Sequence, residues 1–155
     1  MFKKRTKEST PFSAGFTLIE VLLVVAIIAI LAGIVLVAIN PRRQLQQSND
    51  TSREADVNSI LNAIGEYAID NAGNLPTGLT ATPTIIGSGA GQVNICASLV
   101  PTFLAAMPYD PTATGAGYTN CTNFNTGYNV SVDTNNRVTV SAPSAQLSAT
   151  ISVTR

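Results

Sequence analysis

From Val21 to Ile39 the chain reads VLLVVAIIAILAGIVLVAI, without a charged or polar side chain. As a helix this run spans about 28 Å, close to the hydrocarbon thickness of a bilayer. So long an apolar stretch cannot be hidden inside the small core that 155 residues allow. A transmembrane helix is therefore expected, and the residues after it suffice for only one modest globular head.

Charge is placed unevenly around this helix. Lys3, Lys4, Arg5 and Lys7 crowd the start, with Glu8 the one acid among them, and no lysine occurs after Lys7. An ordinary secretory signal puts a short apolar stretch before its cleavage site. Here the basic segment comes first, then Gly15, then the apolar run, so a cut at Gly15 would release the basic leader and keep the anchor. The positive excess before the helix favours a cytoplasmic N-terminus and an exported C-terminus, and Arg42 and Arg43 beyond it reduce the asymmetry. Residues 16–155 would carry five arginines against eight carboxylates, a side-chain charge of −3. That is no field for a nucleic acid, which is not expected as a partner.

Glu20 stands out as a carboxylate at the head of the apolar run, where an acid needs a partner or a task. Cleavage after Gly15 would make one, since the new α-amine of Phe16 is a cation near neutral pH. Phe16 and Glu20 lie one helical turn apart, so amine and carboxylate would neutralise each other within a chain or between stacked chains. Pairing between chains would also set their axial register.

Asn40-Pro41 interrupts the helical pattern, because proline disfavours helix at the residue before it and lacks an amide donor. Pro41 suits the first turn of a second segment with Asn40 as its cap. Leu45, then Val57, Ile60, Leu61, Ile64, Tyr67 and Ala68, recur at helical spacing, with Arg53, Glu54, Asp56, Asn62, Glu66 and Asp70 mostly on other faces. Asn71-Ala72-Gly73-Asn74-Leu75-Pro76 ends this amphipathic half.

Residues 75–91, rich in Thr, Gly and Pro, read as a surface loop. Gln92–Ala97 suits a short strand, and Pro101 leaves Ala97–Met107 ambiguous. Tyr128, Val130 and Val132, a turn at Asp133–Asn136, then Val138 and Val140 describe a hairpin. Leu147, Ala149, Ile151 and Val153 alternate as a third strand within Gln146–Thr154. The expected fold is α+β: a long N-terminal helix, half transmembrane and half amphipathic, packed on a small antiparallel sheet. The expected divisions are a leader 1–15, a transmembrane or filament-core helix 16–39, an amphipathic helix 40–73 and a head 74–155.

Chemistry is sparse. The chain has no histidine, which excludes imidazole-based catalysis and metal sites, and no convincing nucleophile–base set, so an enzyme is not expected. Gly87-Ser88-Gly89-Ala90-Gly91 lacks the lysine and helix of a phosphate loop. Asp133-Thr134-Asn135-Asn136 lacks the other ligands of a calcium loop, and Asp110 is isolated. No cofactor or metal is expected. Cys96 and Cys121, the only cysteines, suit a single disulfide in an exported protein, the alternative being two unpaired thiols.

Gly15-Phe16-Thr17-Leu18-Ile19-Glu20-Val21 resembles the prepilin motif shared by type IV pilins and the pseudopilins of type II secretion systems. The resemblance is strong over residues 1–39 and reaches to about Asn74. It implies that a membrane prepilin peptidase cuts between Gly15 and Phe16 and N-methylates Phe16, with Glu20 in the acid role of assembly. Pro108-Tyr109-Asp110-Pro111 after Leu99-Val100-Pro101 is similar to a segment of some small pilins and major pseudopilins. The implied partners are identical subunits in a helical homopolymer, the membrane before assembly, an assembly ATPase and inner-membrane platform proteins. The implied product is a structural subunit of an extracellular pilus-like filament; a major pseudopilin, or a minor or tip pilin that binds or adheres, is the alternative. The implied course runs from a single-pass cytoplasmic-membrane precursor to a filament outside the cell.

Overall fold

The computed structural model describes residues 15–155. Lys3, Lys4, Arg5 and Lys7, and the rest of the expected leader before Gly15, lie outside the described residues. The chain divides into two units, Met1–Asn40 and Pro41–Arg155.

The first unit contains helix α1, Leu18–Ile39. Its residues Leu18–Leu36 are long and apolar enough to cross a membrane, and every one of them is exposed in the structure. A soluble helix hides at least one stripe; this one hides none, which suits lipid or other apolar helices as its surroundings. The helix ends at Asn40, whose backbone is left-handed (φ 46°, ψ 75°). Proline at the next position disfavours helix there, and asparagine tolerates the left-handed alternative.

The second unit begins with α2, Pro41–Asp70. Val57, Ile60, Leu61 and Ile64 are buried along one stripe, as their spacing predicts. Leu45 is exposed and takes no part in it. Gly73 closes the helix with a left-handed backbone (φ 87°) and an amide donating to the Ala68 carbonyl at 2.7 Å. The stripe packs on a five-stranded antiparallel sheet of β1 (Thr84–Gly87), β2 (Gly117–Asn120), β3 (Asn123–Val132), β4 (Val138–Ala142) and β5 (Ile151–Thr154). The long β3 is central. β1 lines one edge of it, while β2 and then β4 line the other, with β5 beyond β4. Phe124, Thr126, Tyr128 and Val130 alternate inward along β3 and meet Val138, Val140 and Ala142 of β4 in the core.

The α+β layout and the β3–β4 hairpin agree with the sequence reading, and Asp133 makes the turn by accepting from the amides of Asn135 (2.8 Å) and Arg137 (2.9 Å). Three expectations need correction. The segment read as loop contains β1, which comes directly after Pro83 and bulges at Gly87; a β-carbon on Gly87 would lie 3.1 Å from the Phe124 carbonyl oxygen. Gln92–Ala97 is not a strand: Val93 makes an isolated parallel bridge to Ile86, and Cys96–Leu99 is the short helix α3. The last strand is shorter than its alternation suggested, because Leu147 and Ser148 both turn left-handed and leave Leu147 exposed.

Candidate functional site

At the N-terminal junction, Gly15, Phe16 and Thr17 precede the first turn of α1 and are exposed. The Gly15–Phe16 bond thus lies in non-helical backbone, the form in which a protease can take hold of a chain. Thr17 caps the helix. Its hydroxyl accepts from the Glu20 amide at 3.3 Å, and the Glu20 carboxylate accepts from the Thr17 amide at 2.7 Å and the Thr17 hydroxyl at 2.8 Å. This is a reciprocal capping box, and the carboxylate stands at the positive end of the helix dipole. Glu20 therefore has a local task besides the one expected of it: it closes the first turn beside the Gly15–Phe16 bond, the expected cleavage site. The signal was legible as Thr17-x-x-Glu20 ahead of an apolar run.

In the head, Cys96 and Cys121 form a disulfide with their α-carbons 5.3 Å apart. It ties the start of α3 to the turn between β2 and β3. Asn94 reinforces the tie, donating to the Cys121 carbonyl at 2.9 Å and accepting from the Cys96 amide at 3.1 Å.

The largest departure from expectation is a buried polar network around Arg53. Arg53 does not lie on an outer face of α2, nor is Asp110 isolated. The guanidinium is fully buried and meets Asp110 with two parallel bonds, Nε to Oδ2 at 2.7 Å and Nη2 to Oδ1 at 2.9 Å. Its Nη1 donates to Asp50 at 2.7 Å, and Thr112 accepts from Nη2. Asp110 also accepts from the amides of Thr112 (2.8 Å) and Ala113 (2.9 Å), and Asp50 from the amide of Gln146 (2.8 Å). Gly127 makes room for this loop on β3: a β-carbon there would stand 3.1 Å from Asp110 Cβ, and its φ of 73° favours glycine in any case. Burial pushes the Asp110 carboxyl up, but the bonds from Arg53, Thr112 and Ala113 outweigh it and hold the carboxyl below its ordinary range. Asp56, also expected on an outer face, accepts from the Tyr128 hydroxyl at 2.7 Å and is pushed up chiefly by burial. Burial, then Asp56, keep the Tyr128 phenol protonated well beyond its ordinary range.

Two of these side chains share an α2 face with Val57 and Ile60, and helical periodicity alone assigns charges there to solvent. Asp110 was hidden because its partner lies 57 positions away. The network joins α2 to two loops and is a structural staple. Its carboxylates are engaged with Arg53 and Tyr128, and among the described residues no group of three His, Cys, Asp or Glu is arranged to hold a metal ion.

Residues 12–36 match the family model of the prokaryotic N-terminal methylation motif. The chain carries the class III signal peptide of type IV pilins and pseudopilins. The match takes in the whole junction, from before Gly15 through Glu20, and α1 as far as Leu36. No curated protein and no solved structure matches the chain. The prepilin-type motif implies a membrane-anchored precursor, processing by a prepilin peptidase and a pilus or pseudopilus assembly machinery, and it points to a structural subunit.

Proposed function

We propose that the protein is the structural subunit of a type IV pilus-like extracellular filament, cut between Gly15 and Phe16, N-methylated at Phe16 and assembled through residues 16–39. One observation carries this reading: the methylation motif runs directly into a helix whose side chains from Leu18 to Leu36 are all uncovered. Lipid covers such a surface before assembly, and the same helices of other copies cover it afterwards. Moving from lipid to a core of apolar helices exchanges one dry environment for another, so close packing and polar register contacts decide the geometry.

Glu20 supplies the register contact. In the uncut chain its carboxylate is held by Thr17, next to Phe16. After cleavage the Phe16 amine becomes a cation within reach of that carboxylate, in the same chain or in a neighbour already in the filament. Extraction and growth draw on the assembly ATPase and the inner-membrane platform.

Mass spectrometry of filaments sheared from cells tests the proposal. Subunits that begin at N-methylated Phe16 and dominate the fibre support it. A trace subunit at the fibre end points to a tip pilin, and membrane-retained processed protein without fibres points to a pseudopilin, which the same motif accommodates. Glu20→Val should still insert and be cut but fail to assemble; filaments in normal number would refute the charge-pairing role.

A further inference from the structure

An open groove of about 580 Å³ crosses the head between the Ser88–Gln92 turn, Tyr109 and the β2–β3 hairpin. Its volume falls in the range of ligand sites, roughly 300–1,000 Å³. Its chemistry is unusual for this protein, since none of the described residues that line it is charged. Tyr109 stands 49 % exposed on one wall. Tyr118, half-buried, packs edge-on against Phe124 with ring centroids 6.1 Å apart, which fixes its ring. Between them stand amide side chains with capacity to spare. Gln92 uses its oxygen on the Gly89 amide (2.8 Å) and Asn125 uses its oxygen on the Gly127 amide (2.9 Å), and among the described residues neither NH2 group is engaged, which leaves both for a ligand. The Asn123 side chain and the hydroxyls of Tyr109 and Tyr118 bond to no other described residue and add both donors and acceptors.

The frame is rigid. The Cys96–Cys121 disulfide clamps the turn of the β2–β3 hairpin, and Tyr109 immediately precedes Asp110, the anchored end of the Arg53 bridge. A site held this way loses little freedom on binding.

We infer that this groove binds a neutral oligosaccharide. A pyranose ring has an apolar C–H face and a rim of hydroxyls that both donate and accept. The exposed Tyr109 ring and the half-buried Tyr118 ring suit the face, and amides plus phenols suit the rim. The lack of charge disfavours phosphate, uronic or sialic acid groups and basic peptides, each of which leaves a desolvated charge without a partner. The inference stands on the head and does not depend on how the anchor assembles.

Saturation-transfer NMR on the full chain, held in a detergent without a sugar headgroup, tests it with maltotriose, cellotriose and N,N′,N″-triacetylchitotriose, and with sialyllactose as the anionic control. At least one neutral trisaccharide should receive saturation at its ring protons, with affinity in the millimolar range or tighter. Tyr109→Ala and, separately, Asn123→Ala should weaken that affinity about tenfold or more. Both positions are exposed, and circular dichroism will show that each variant keeps the native fold. The inference fails if none of the three neutral sugars binds at about 10 mM, roughly the weakest affinity a built site would show. It also fails if sialyllactose binds as well as they do, or if neither substitution weakens binding.

Discussion

Replacing Arg53 by methionine isolates what the buried bridge contributes. Methionine keeps the length and apolar stem of the side chain but removes all of its donors to Asp110, Asp50 and Thr112. Among the described residues Asp110 then keeps the amides of Thr112 and Ala113 and the Thr112 hydroxyl at 3.4 Å, and Asp50 only the Gln146 amide, each as a buried acid without a cation. Breaking a buried pair in this way costs about 3–5 kcal/mol. For a head of this size that corresponds to a fall in melting temperature of roughly 12–20 °C. The head lacks tryptophan, so the transition is best followed by near-ultraviolet circular dichroism of its tyrosines and disulfide, on the full chain in detergent. The effect should also depend on pH in a defined direction. Asp110 has a depressed carboxyl in the folded head, so its contribution is complete above the ordinary carboxylate value of 3.8 and is lost as pH falls through the lower folded value. Wild type and Arg53→Met should therefore differ most near neutral pH and converge in acid. A difference under about 1 kcal/mol at pH 7, the worth of an exposed pair, would refute the reasoning. So would a gap that widens in acid.

Two further perturbations address other ties in the head. Cys96→Ser with Cys121→Ser opens a link across 25 positions and should cost about 3–4 kcal/mol in urea melts; no change on reduction of the wild type would contradict it. Tyr128→Phe removes the donor to the Asp56 carboxylate and should cost roughly 1.5–3 kcal/mol near neutral pH. The Tyr128 phenol is raised in the folded head, so its contribution is full below its ordinary value of 10.0 and is lost as pH rises through the folded value. The wild type should consequently lose its margin over Tyr128→Phe above about pH 10, and a constant margin would show that the hydroxyl is not the group responsible.

What could be read in one dimension was what depends on near neighbours. The apolar run to Ile39, the break at Asn40-Pro41, the Val57–Ile64 stripe, the Gly73 stop and the Asp133–Asn136 turn all act through residues within one or two turns, and the structure has each of them. The errors at β1, α3 and the Arg53 network share one cause, which is dependence on distant partners, whereas the last strand is shortened locally by the left-handed Leu147 and Ser148. β1 is held by β3 more than 35 positions away, and nothing in Thr84-Ile85-Ile86-Gly87 overcomes the surrounding Thr, Gly and Pro as a local signal. Val93, Ile95 and Ala97 alternate as in a strand, but Cys96 is drawn into α3 by its disulfide and by Asn94. The capping role of Glu20 is the exception, since Thr17 lies three residues before it.

The Arg53 bridge also bears on what the head does. A buried ion pair seldom outperforms well-packed apolar side chains of the same volume, so stability alone is a weak reason for it. Specificity of position is a better one. Asp110 receives a planar fork from α2 on one side and the amides of its own loop on the other, which leaves the loop a single register against the helix. Tyr109 is one residue away, on the wall of the uncharged groove. The combined replacement Arg53→Met, Asp110→Leu and Asp50→Asn separates the two roles, because it removes all three charges together and keeps an acceptor for the Gln146 amide. If the bridge served stability, the combined variant would remain as unstable as Arg53→Met. If it serves position, the combined variant should recover most of the lost stability while its loop, freed of the fork, no longer holds Tyr109 in place and sugar binding stays weak.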